Sequence, residues 1–96
     1  MKAGMWVQIE LPKLSKVSTV TLDARGSKGD YPRKYEVHVS KDSKKWGHTL
    51  AKGKGDNPLT AIDFDPTDAK FIRITQTGKH RLFWSIHELT INGKEL

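Results

Sequence analysis

Apolar residues recur at every second position through most of this chain, and no stretch shows the repeat of an amphipathic helix. Val7, Ile9 and Leu11 alternate with Trp6, Gln8 and Glu10, and Pro12 reads as the end of that run. Val20 and Leu22 share a face within residues 17–24. Tyr35, Val37 and Val39 alternate with Lys34, Glu36 and His38, the signature of a strand with one wet side. Residues 46–51 read as its partner. Ile62 and Phe64 point inward in 59–64, Ile72 and Ile74 in 69–76, and a last strand is expected over 85–92. Turn formers separate these runs: residues 26–30, 41–44, 53–58 and the Asp65-Pro66-Thr67-Asp68 segment. Short strands at this spacing predict an all-β fold, an antiparallel sandwich or barrel.

The chain has 96 residues and 35% apolar residues, so one domain with a thin core is expected over residues 1–96. Without cysteine, disulfides, thiolate metal sites and cysteine nucleophiles are excluded. No apolar run approaches the ~20 residues of a membrane span, and the opening MKAGMWVQIEL lacks the apolar core of a signal peptide. The net charge is +6, which favours anionic partners of any kind. The lysines are spread along the sequence, so a solvated surface is the preferred reading, and nucleic acid is disfavoured as a partner.

Catalytic motifs are absent: no HExxH, no nucleophile elbow and no glycine-rich phosphate loop leading into a helix. The chain therefore reads as a non-enzyme. Asp63, Asp65 and Asp68 lack the spacing of a calcium loop, since Pro66 interrupts them. Ile86 and Leu89 both look buried yet have opposite parity, which a bulge near His87-Glu88 would reconcile. Glu88 would then face the sheet rim, either as an oxygen ligand for a hard cation or as a plain hydrogen-bonded residue.

Phe83 and Trp84 are adjacent, so on a strand they point to opposite faces and cannot share one core. Tyr31 stands in a loop between Asp30 and Pro32. Flat rings beside hydrogen-bonding Arg, Asp and His side chains suit a sugar: the ring covers the C–H face and polar groups satisfy the hydroxyls. The same rings could instead plug the end of the sandwich.

The motifs WVQIEL, TLDARGSKGDYPRKYEVHVSKDSKKW, IDFDPTDAKFIRITQTG and FWSIHELTING occur in an order that resembles the F5/8 type C (discoidin-like) domain, whose bacterial members include the family 32 carbohydrate-binding modules. The resemblance implies a jelly-roll β-sandwich of the galactose-binding-domain type with a glycan ligand held by loops at one end. It implies a non-catalytic module of a larger extracellular or periplasmic protein, in some cases appended to a glycoside hydrolase. Carried over by position, the ligand residues are Arg25, Asp30, Tyr31, His80, Phe83 and Trp84, and Glu88 resembles the family's C-terminal calcium ligand. The hairpin has Asp42-Ser43 where the family usually has Asp-Gly, and the family's asparagine beside the sugar-contacting arginine is not evident. The family also normally has several tens of residues before the Trp6 strand, including its calcium loop. The expectation is therefore an N-terminally shortened domain, a fragment or C-terminal module, with no cofactor or at most weakly held calcium and an unpaired edge that favours self-association. The alternative functions are a protein-docking or adhesion module, which would contact domains of the parent chain, and a binder of anionic surfaces such as phospholipid or nucleic acid.

Overall fold

The computed structural model describes residues 1–96 except His48, Asp56, Ser85, His87, Gly93 and Leu96, and for Lys94 and Glu95 the backbone alone. The chain forms β1 (Met5–Asp23), a 3-10 turn (Arg25–Ser27), β2 (Tyr35–Ser40), β3 (Ala51–Gly53), β4 (Leu59–Gln76), β5 (Glu88–Ile91) and β6 (Lys94–Glu95). The strands join in the antiparallel order β3-β2-β4-β1-β5-β6. Two long strands run through both layers. The first half of β1 pairs with the second half of β4, which also pairs with β2, and the second half of β1 pairs with β5. Bending this continuous ladder back on itself makes the β-sandwich.

The two prolines read as strand ends lie at the bends instead. The β1–β4 register jumps from Glu10↔Phe71 to Ser15↔Ala69, so residues 11–14 oppose a single residue, and Pro12 sits among them. It jumps again from Val17↔Thr67 to Thr19↔Asp63, and Pro66 sits in that second bulge. Proline has no N–H to give to a ladder, so it is tolerated where the ladder skips. Bulges bend a strand without ending it, and the four short strands expected over 6–11, 17–24, 59–64 and 69–76 are therefore two long ones. The Lys70 ammonium secures the first bulge, donating to the Leu11 carbonyl and to Glu10 Oε2 at 3.1 Å.

The bulges also explain the parity of the core. Leu11 and Val17 are buried at odd positions, Val20 and Leu22 at even ones, and the shift after Val17 reconciles them. Across the sandwich these side chains meet Val37, Ile62, Ile72, Ile74 and Ile91, all buried. Val37 pairs with Ile74, and Ile74 with Val7, so the period-two pattern sets this register.

Of the run 46–51 expected as a strand, Trp46, Gly47, Thr49 and Leu50 are not in one, and Ala51 begins β3. Trp46 lies in a loop, its indole N–H donating to the Ser43 carbonyl at 3.0 Å. Its ring lies 4.3 Å from the Arg73 guanidinium, which has the Trp6 ring at 4.4 Å as well. Gln8 Oε1 accepts from Arg73 Nε and Nη2 at 3.2 and 2.9 Å. Two tryptophans thus clasp one arginine on the outer face of the sheet, an arrangement stabilised by cation–π attraction. In the preceding turn, the Asp42 carboxylate accepts from the backbone N–H groups of Lys44 and Lys45, and Ser43 takes a φ of 66° where glycine would be unstrained. At the other end of the sequence, β5 begins at Glu88, and the proposed bulge involving His87 falls outside the described residues.

Ile72 lies in the buried core cluster with no solvent exposure, flanked in its own layer by Ile9 and Val39. Ile72→Ala should cost about 2–5 kcal/mol. Urea denaturation would show a lower midpoint with an unchanged slope.

Candidate functional site

The bend of β1 and β4 brings four segments to one end of the sandwich. Met5, Tyr35, Gly53 and Gln76 are neighbours in one layer, and Asp23, Leu59 and Glu88 in the other. The described residues of the segments 1–4, 24–34, 54–58 and 77–87 adjoin these positions. Cross-bonds tie them together. Gly4 N–H donates to the Gln76 carbonyl at 2.8 Å, Thr77 N–H to Lys34 at 2.8 Å, Gly55 N–H to Arg33 at 3.2 Å, and Ala24 N–H to Pro58 at 2.8 Å.

The fully buried Gln76 fastens the base. Its Nε2 donates to the Lys2 carbonyl at 3.1 Å and to the Gly78 carbonyl at 2.5 Å, and its Oε1 accepts from Gly78 N–H at 2.8 Å. A buried amide is tolerated because its polar atoms have partners. It holds the N-terminal segment against the start of the 77–87 segment.

Arg33 joins the two loops predicted to hold ligand. Its guanidinium lies 3.7 Å from the centroid of the Tyr31 ring and donates to the carbonyls of Tyr31 at 3.1 Å and Gly29 at 3.0 Å. Nη2 also lies 3.4 Å from His80 Nδ1. Leu82 N–H donates to that same nitrogen at 3.2 Å. Two donors converging on Nδ1 require it to be an acceptor, so the neutral ring carries its proton on Nε2. Burial, then the positive charges of Arg33, Arg81 and the terminal ammonium, hold His80 below the usual imidazole range. Among the described residues Arg33 forms no ion pair; its charge rests on neutral acceptors and a ring face.

Phe83 is 79% exposed, whereas Trp84 is half-buried and packs against the core. The neighbouring rings thus differ in burial, and because neither lies in a strand, period-two alternation is not the cause. The Trp84 indole N–H is buried and has no acceptor among the described residues. Phe83 and Trp84 line a hollow of about 260 Å³ with Met1, Lys2 and Met5. Next to it is a cleft of about 570 Å³ lined by Met1, Lys2, Ala3, Lys79 and His80. The two share Met1 and Lys2 and form one shallow depression, part aromatic and part cationic.

The structure therefore gathers Tyr31 and His80 through Arg33, and Phe83 and Trp84 around the hollow. Asp30 lies in the same loop, its N–H donating to the Ser27 carbonyl at 2.9 Å. Arg25 belongs to a different group. It forms a forked ion pair with Asp23, with Nη2 2.7 Å from Oδ2 and Nε 3.0 Å from Oδ1, and this pairing, reinforced by Glu88, raises its pKa. Glu88 is exposed and pairs across the strands with Asp23. Among the described residues no three His, Cys, Asp or Glu side chains group to hold a metal ion, so Glu88 has no carboxylate set around it there. Arg33, Lys2 and Met5 are the lining or organising residues that sequence reasoning passed over. Arg33 stood in the motif beside Tyr31, but its reach to His80, 47 residues away, depends on the fold.

His80 titration has a definite sign. Its folded pKa is lowered, so the unfolded chain binds the proton more readily. Stability is fully present above the unfolded value of about 6.5 and falls as pH drops through the folded one. His80→Asn places an amide oxygen near Nδ1 and removes the titration. The Tm loss between pH 7 and pH 5, read by circular dichroism, should be smaller in that variant than in the parent chain.

Comparison with known proteins matches this architecture. The family 32 module CpGH89CBM32-5 of Clostridium perfringens, solved with GalNAc-β-1,3-galactose, superposes with a TM-score of 0.82 at 23% identity, covering 95% of this chain and 67% of its own. The family 32 module of C. perfringens NanJ, solved with galactose, gives 0.78 at 28% identity, covering 95% and 68%. Chitosan-binding module 2 of the Paenibacillus sp. IK-5 chitosanase/glucanase, solved with chitotriose, gives 0.76 at 28%, covering 96% and 74%. No curated protein sequence is a significant match. The F5/8 type C domain model matches residues 1–89, and the chain belongs to that family.

Proposed function

We propose that this chain is a non-catalytic carbohydrate-binding module that takes its glycan at the loop end of the sandwich. One observation carries the reading: the outward Phe83 ring, 79% exposed, stands over a hollow beside a cleft lined by hydrogen-bond donors. Exposing a phenylalanine to water forgoes about 1.5–3 kcal/mol of burial, and a sugar face laid on the ring recovers part of it. Lys2, Lys79 and His80 supply donors for hydroxyls around the ring, and Tyr31 and Asp30 complete the rim. Arg25 binds at the edge only by giving up part of its pairing with Asp23. The sugar complexes of the NanJ and Paenibacillus relatives support the ligand class.

The depression is open and shallow, so few ligand groups are desolvated and single-site affinity is weak. Such a domain works as one module of a larger extracellular or periplasmic protein, where linkage to further sites offsets weak binding. The exposed cluster of Met5, Leu82 and Phe83 favours a second reading, docking onto a parent-chain domain or a second copy through the same end.

Phe83→Ala separates these roles from a structural one. Binding on a glycan array should be lost, and the Tm should move by no more than about 2 °C, since an exposed ring contributes little to folding. A comparable loss of stability would make the ring structural. A blank array with the parent chain, across neutral and charged sugars, would refute sugar binding and favour docking.

A further inference from the structure

We infer that the loop end selects glycans bearing negative charge, a uronate carboxylate or a sulfate ester, and seats the anionic group between Lys2 and Lys79 while an adjoining ring lies on Phe83. This inference deepens the sugar-binding reading and rests on it.

Along the sequence the lysines look scattered, but the fold sorts them. Residues 1–4, 24–34, 54–58 and 77–87 contain eight lysines and arginines: Lys2, Arg25, Lys28, Arg33, Lys34, Lys54, Lys79 and Arg81. They contain two carboxylates, Asp30 and Asp56. The rest of the sequence carries nine cations and nine carboxylates, so the net +6 falls within these four segments. Counting the rim residues Asp23 and Glu88 with it still leaves +4, and Asp23 is taken up by Arg25.

Three features turn this excess into a site. The cationic cleft and the aromatic hollow share Lys2, so one sugar residue on Phe83 brings its neighbour to Lys79. Arg33, half-buried behind them without a carboxylate partner among the described residues, adds a charge that solvent screens less than it does the surface lysines. The positive neighbours that help keep His80 neutral are the same field felt from inside. Lysine ammoniums are mobile point charges, suited to a carboxylate or sulfate whose position varies along a polymer.

The same geometry disfavours other anions. A nucleic-acid strand needs a track of cations. The molecule measures 35 × 24 × 19 Å, and outside the four loop segments cations and carboxylates balance. Charge at a single tip beside one ring fits a short, ring-bearing anionic ligand.

Calorimetric titration of the intact chain with trigalacturonate, its fully methyl-esterified form, a sulfated galacto-oligosaccharide and chitotriose tests the inference. Expected at about 0.05 M salt is at least about tenfold tighter binding of one or both anionic sugars than of the methyl ester, with no detectable chitotriose binding. That advantage should collapse at about 0.5 M salt, where the Debye length falls to a few ångströms. The Lys2→Gln/Lys79→Gln variant, folded by circular dichroism, should lose about tenfold for the anionic sugars. Equal binding of trigalacturonate and its ester, or binding indifferent to salt, overturns the inference and leaves sugar binding standing. No binding of any sugar overturns both. A single-stranded oligonucleotide that binds more tightly than either anionic sugar also overturns it.

Discussion

The pairing of β1 with β4 is the contact on which everything else in this domain depends. A ladder joining residues 5–23 to residues 59–76 belongs to both layers at once. The two layers therefore cannot separate without breaking one continuous set of backbone hydrogen bonds. Two bulges bend the ladder, one on each strand, and each holds a proline that could not have served in a regular register. Because both strands fold back, their ends converge, and so do the segments that follow them. The binding end is thus a consequence of how two strands bend.

Much of the fold was legible because period two is a strong signal wherever one face of a sheet is buried. Val37, Ile72 and Ile74 were placed correctly from alternation alone. The continuity of β1 and β4 was not legible. Pro12 and the Asp65–Asp68 segment have the chemistry of terminators, and only the partner strand reveals that the ladder resumes beyond them. Trp46 was misread for a related reason. It borders a strand-like run, but its ring is claimed by Arg73, whose other face is claimed by Trp6. Such a three-residue stack spans 67 positions of sequence and leaves no local trace.

The site was legible in part. Adjacency suggested that Phe83 and Trp84 could not both be core residues, and the structure exposes the first and packs the second against the core, although both border one hollow and neither lies in a strand. Arg25, carried over by position as a ligand residue, is engaged locally in this structure. Asp23, two residues before it, offers a carboxylate at 2.7 Å, and that local pair outcompetes a reach toward Tyr31. Arg33 organises the rim instead, by linking Gly29, Tyr31 and His80. The charge distribution was hidden most completely. Lys2 and Lys79 are far apart in sequence, as are Lys34 and Lys54, and only the convergence of strand ends sets each pair around one cleft.

On the proposed reading, one end of the sandwich, where Phe83 meets a concentrated positive charge, receives the ligand. Amide chemical shifts recorded during titration with trigalacturonate address it residue by residue. Perturbations should be confined to residues 1–5, 29–34 and 77–84, with Phe83 and Lys79 among the largest. Perturbations centred on Trp6, Arg73 and Trp46, or on the turn at residues 41–45, would contradict it.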